Sequence, residues 1–237
     1  MATAAALTLF DAGVASAAAP SLGAAEPFLV LAFSGVVNTG PSARVFGDLG
    51  VSPGTQISGF PPGLVVGGGL HQADAAATQA QSDVTSAYND AAGRAPATTV
   101  ASDLGGQTLG PGVHRTADAM SLTGTVTLDA RGDVNGVFIF QSSALTTAPG
   151  SNVLLIGVNP CNVFWQVGGS ATLGAGSSFS GTIMADQSIT TNTAARVVGR
   201  LLALHGAVAL DTPTITPPVC PITGPGAPGQ EQNGPQT

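Results

Sequence analysis

Apolar residues along this chain follow two rhythms. Between Pro96 and Thr216 they alternate with Thr, Ser, Asn and Gly, as in Val153, Leu155, Phe179, Gly181, Ile183, Val197, Gly199 and Leu201. Period-two spacing predicts strands with one buried face and one wet face. From Leu22 to Phe60 the same β-like text is broken into short pieces by Gly and Pro. One segment departs from it: His71 to Ala92 contains no Gly or Pro, and Ala77, Ala80, Val84, Ala87, Tyr88 and Ala91 recur at three- and four-residue steps. This spacing predicts a helix over 71–92 with a narrow, Ala-rich stripe, able to lie close to a sheet. Gly93 supplies its stop and His71 its first residue. The run from Gly67 through Gly68 and Gly69 to Gln72 has no Lys for a phosphate loop, and predicts a flexible entry to that helix.

Within the β region the text repeats. Ser170 to Ala185 resembles Ser188 to Ala203 at an offset of 18 residues, and fixed-period similarity means stacked coils. Alignment puts Thr123, Thr146, Thr172 and Thr190 in one column beside Leu122, Leu145, Ala171 and Ile189, and Leu128, Val153, Phe179 and Val197 in another. Stacked strands sit about 4.8 Å apart, so one Thr per coil makes a ladder of hydroxyl and methyl groups. Thr is stiff at χ1, which keeps such a ladder ordered.

Composition narrows what the ladder can meet. At 237 residues the chain is ample for a continuous core. Only 8% of residues are charged, the six basic residues are all Arg, and the net charge is −7. Nucleic acid is an unfavourable partner for such a surface. Met1 to Pro20 forms an Ala-rich apolar stretch ending in small residues around Ala15 to Ala19, a shortened signal-peptide-like segment that points to export. No other apolar run reaches membrane-span length, so neither a membrane nor a cofactor enters the expectation. Residues 217–237 are rich in Pro and Gly and read as a tail. In an exported chain an even cysteine count favours a disulfide between Cys161 and Cys220, with two free buried thiols as the alternative.

Reactive groups are sparse. The candidate acids are Asp186 and Asp211, the candidate bases His205 and His71, with Arg196 and Arg200 near them in sequence. They do not repeat in a column as the carboxylates of a polysaccharide-cleaving β-helix would, so no catalytic residue is expected. His71, His114 and His205 show no metal-ligand spacing. The Thr grid suits ordered water, with methyls restricting its motion and hydroxyls anchoring it. Ice, a crystalline carbohydrate surface or a plain scaffold all remain compatible with it.

Longer motifs add a resemblance. Asn38-Thr39-Gly40-Pro41-Ser42, the segment from Gly47 to Thr55, Gly59-Phe60-Pro61-Pro62-Gly63, Gln79 to Asp90, Val137 to Gln141 and Cys161 to Gly168 are similar to the DUF3494 ice-binding proteins over about Leu22 to Thr216. The resemblance implies a secreted right-handed discontinuous β-solenoid of triangular section, and a monomer is expected. It further implies a helix along one face and an N-terminal coil stacked beside the C-terminal one. It implies adsorption to ice through a flat face of small residues and Thr, often in a T-A/G-x-T/N pattern. Thr39-Gly40-Pro41-Ser42 and Thr193-Ala194-Ala195-Arg196 resemble that pattern, with Arg196 an irregularity expected to roughen the face and Val198 and Arg200 to roughen its neighbour. The expected ice-contacting set is Thr39, Ser42, Thr146, Thr172, Ser178, Thr190, Asn192, Thr193, Thr212 and Thr214, on a domain spanning 21–216. A surface adhesin or carbohydrate-binding solenoid is the alternative function.

Overall fold

Three short strands separated by tight corners make one coil, and the coils stack through parallel pairing. The computed structural model describes residues 18–220; most of the signal-peptide-like segment and of the Pro/Gly-rich tail lies outside the described residues. One face is a seven-stranded sheet of Met120–Leu122, Leu145–Thr147, Ala171–Leu173, Ile189–Thr191, Val208–Leu210, Gly35–Asn38 and Gln56–Ser58, in that order. The other two faces belong to a larger sheet whose long strands, Ser178–Ala185 and Arg196–Ala203, turn the edge between them. Gly181 and Gly199 sit at that edge with φ of 110° and 151°. A Cβ at Gly199 would stand 1.9 Å from the Gly181 carbonyl oxygen, so the bend needs glycine in both coils.

The stack is out of chain order. Val208–Leu210 pairs on one side with Ile189–Thr191 and on the other with Gly35–Asn38. Arg196–Ala203 likewise pairs with Phe28–Ala32, and Thr214–Thr216 with Arg44–Val45. The N-terminal coils therefore extend the C-terminal end, and the chain must travel back along the whole stack before the remaining coils begin. The helix α1, Ala75–Gly93, makes that journey between strands Leu70–Gln72 and Ala97–Thr99. Its 19 residues span about 28 Å.

Where α1 lies, the sheet is covered on both sides and the strands are continuously apolar. Val163–Val167 and Phe138–Ser142 are buried at every position. Phe138, Phe140, Trp165, Ile183 and Leu201 point into the coil, while Ile139, Phe164, Met184 and Leu202 meet Ala77, Ala80, Val84, Ala87 and Ala91 of the helix. Phe140 stacks on Trp165 at 3.9 Å between ring centroids, and the indole Nε1 donates to the Ser180 carbonyl at 3.0 Å. Glutamines tie helix to sheet: Gln81 Nε2 donates to the Ala203 carbonyl at 2.9 Å, and Gln141 Nε2 to that of Ala91 at 2.7 Å in the last helical turn.

The helix starts later than its spacing predicts. His71 and Gln72 pair with Gly50 and Val51 as strand, so the glycine run leads into an edge strand instead of a flexible entry. Asp74 is the N-cap, accepting from the Ala77 amide at 2.8 Å. That amide, and then the His71 side chain, hold the Asp74 carboxyl below its usual range. Gly93 is the last helical residue, and the chain leaves extended at Arg94 ahead of Pro96. Five residues of the expected stripe are buried, with Tyr88 half-buried and Gln81 added. Cys161 and Cys220 form a disulfide with Cα atoms 5.7 Å apart, strapping the segment after Thr216 to a turn several coils back.

Both aligned columns shift by two residues at their first member. Ser121, not Thr123, pairs with Thr146, and Val126, not Leu128, pairs with Val153. A slip of two keeps each side chain on its own face, so the apolar pattern cannot detect it.

Candidate functional site: a flat face of small residues

The outward positions of the seven-stranded sheet are occupied almost entirely by small side chains. Its central column runs Ser121, Thr146, Thr172, Thr190, Ala209, Val37 and Ser58 in register from coil to coil. On one side stand Ala144, Ser170, Ser188 and Ala207, aligned by the bonds from Leu145, Ala171 and Ile189 to the carbonyls of Ser170, Ser188 and Ala207. On the other stand Ala148, Asn192, Asp211 and Thr39, whose amides donate to Leu122, Leu173, Thr191 and Leu210 respectively. Inward partners such as Met120, Leu145, Ile189, Val208 and Leu210 belong to the main core and hold the strands straight beneath these columns. The helix packs on a different face, and none of the large exposed hydrophobics lies on this one.

Hydroxyls on the face fall into two kinds. The side chains of Thr146, Thr172 and Thr190 make no hydrogen bond within the protein, and Thr146 is exposed with the other two half-buried. Thr193 Oγ1 instead donates to Asp211 Oδ2 at 2.6 Å, Thr212 Oγ1 accepts from the Ala194 amide at 2.9 Å, and Thr39 Oγ1 donates to the Leu210 carbonyl at 3.3 Å. Those three hold the corner where the last coils meet the N-terminal coil. Asn38 completes that corner: its Nδ2 donates to the carbonyls of Gly40 and Gly59 at 2.8 and 2.9 Å. At the far end Thr123 is bound to Asp103 through both its amide and its hydroxyl, and the Thr123 hydroxyl and the Gly105 amide hold that carboxyl below its usual range.

The expected residues therefore divide. Thr146, Thr172 and Thr190 share the central column, Asn192 and Thr39 the column beside it, and Thr193, Thr212 and Ser42 the corner turns. Ser178 and Thr214 lie beyond the corner on the third face, paired through Arg196. Arg196 is on that third face too, so it does not interrupt the Thr ladder. The T-A/G-x-T/N spacing that placed it there runs around a corner, with Ala194 at φ 59° making the turn. Arg200 roughens nothing, being 8% exposed with Nε donating to the Glu26 carbonyl at 2.9 Å. Ser121 and Asn38 were not legible as site residues; the apolar pair Met120 and Leu122 around Ser121 was the available signal.

Candidate reactive groups do not converge. His205 Nδ1 meets Asp186 Oδ1 at 2.9 Å near one edge, Asp211 pairs with Thr193 near the other, and His71 pairs with Asp74 at the helix start. No group of three or more His, Cys, Asp or Glu fit to hold a metal occurs among the described residues.

A family model described as ice-binding-like matches residues 30–216. The chain is 44% identical over 210 residues to an ice-binding protein of Nostoc sp. (strain HG1), covering 87% of this chain and 77% of that one. The crystal structure of an ice-binding protein from an Antarctic biological consortium superposes with a TM-score of 0.84 at 43% identity, over 92% of this chain and 97% of the other. The DUF3494 domain of Shewanella frigidimarina ice-binding protein 1 gives a TM-score of 0.78 at 31% identity, covering 85% and 98%. Discontinuous solenoid, returning helix and sequence motifs agree with these matches, and the chain belongs to the DUF3494 ice-binding family.

Proposed function

We propose that this protein adsorbs to ice through the seven-stranded face, giving thermal hysteresis and inhibiting recrystallisation. The observation that carries the reading is the register-aligned column of Thr146, Thr172 and Thr190, whose hydroxyls have no protein partner on a helix-free surface that bears none of the large exposed hydrophobics. Strands about 4.8 Å apart place these groups on a regular grid that can hold water in lattice-like order. The ice-contacting set centres on these threonines with Asn192 beside them; Thr39, Thr193 and Thr212 fix the corner, Ser42 flanks it, and Ser178 and Thr214 face elsewhere. The functional unit is the solenoid of about 21–216, acting as a secreted monomer without catalysis or cofactor. No helix among the described residues is long and apolar enough to cross a membrane. Freezing purified protein beside an albumin control tests the reading: smaller recrystallised grains and a measurable hysteresis gap support it, and coarsening equal to albumin overturns it.

A further inference from the structure

The third face, next to the flat one, carries an arrangement that ice adsorption does not use. Its outward column runs Ser178, Arg196, Thr214, Arg44 and Leu64 in register. Arg196 and Arg44 are both exposed, stand two strands apart at about 9.5 Å, and form neither an ion pair nor a side-chain hydrogen bond. The adjoining outward positions are Ser180, Val198 and Thr216, with the exposed Val66 farther along, and none of these or of the first column is Asp or Glu. In a chain of net charge −7 without Lys, two unpaired guanidinium groups on one acid-free strip stand out as a local positive feature.

We propose that this strip binds an acidic polysaccharide of the polyuronate class, lying along the solenoid axis. Guanidinium groups favour carboxylates through paired, charge-assisted hydrogen bonds. Arg196 and Arg44 take carboxylates from alternate sugars, Thr214 between them and Ser178 beside them meet ring hydroxyls, and the exposed Val198 covers the apolar face of a sugar. A single-stranded nucleic acid fits less well, since the strip offers no exposed aromatic ring on which bases could stack. Such binding would hold the protein in an anionic sugar matrix with the flat face free.

The test uses the oxidised full chain in affinity electrophoresis through alginate, with dextran as the neutral control and phosphatidylglycerol vesicles and single-stranded DNA as other anions. Retardation by alginate at low ionic strength, absent in dextran and lost on adding salt, is the expected result. Arg44→Gln and Arg196→Gln should each weaken it about tenfold and together abolish it, as for loss of a charge-assisted contact. No retardation of the parent protein, undiminished binding by the double variant, or equal binding to vesicles or DNA overturns the proposal. The double variant should melt at the parent's temperature, since both arginines are exposed and make no side-chain hydrogen bond, which shows that it is folded. The proposal is independent of the ice reading, so either can fail alone.

Discussion

Thr172 stands between Thr146 and Thr190 in the flat face, with its hydroxyl free of protein partners. A Tyr there would project a large ring from a plane of small groups. Thr172→Tyr should therefore lower hysteresis severalfold while changing stability by about 1 kcal/mol at most, since the half-buried Thr172 side chain points outward from the core. Osmometry beside a thermal melt checks both. Thr193→Val should do the reverse, because the lost hydroxyl bonds Asp211: stability falls by about 1 kcal/mol with most of the hysteresis retained. His114 offers a different test. Burial, chiefly, and to a lesser degree the nearby Arg131 push its pKa below 6.5, against the opposing pull of the Gly110 carbonyl. The unfolded chain then takes up a proton near 6.5 while the folded one stays neutral, so stability is full above that pH and falls as pH drops through it. Denaturant melts across this range should show that slope, and His114→Gln should flatten it.

Helix α1 was largely legible because its Ala stripe is a local pattern, and its inner residues meet the sheet as that pattern implies. Its start was not, because His71 and Gln72 are drawn into an edge strand by pairing with residues about twenty positions earlier. The same limit explains the columns: period two fixes which face a residue occupies, whereas which coil neighbours it has depends on corner lengths. Arg196 was misplaced for that reason, a four-residue motif having been laid on one plane when it turns a corner. The division of threonines into free and engaged depends on partners such as the Asp211 carboxylate and the Leu210 backbone carbonyl, which no local pattern links to them. The N-cap itself is testable: Asp74→Ala removes the bond to Ala77 and should cost about 1 kcal/mol, with the ice-facing side unaltered.

At the scale of the molecule, the flat face is assembled across the joint where Val208–Leu210 meets Gly35–Asn38. The Cys161–Cys220 bond spans 59 residues and straps the chain just after the last coil. On a chain-entropy basis its removal should cost about 4 kcal/mol at most. Cys161→Ser/Cys220→Ser should thus melt at lower temperature yet keep its hysteresis in the cold, where it remains folded. Two faces of the solenoid are free of the helix, and the proposed ice contact lies on the flat one. Hysteresis measured side by side for Thr172→Tyr on the flat face and Thr214→Tyr on the third face separates the two. A severalfold loss is expected for Thr172→Tyr and parental activity for Thr214→Tyr; equal losses, or loss only at Thr214, would overturn adsorption through the flat face.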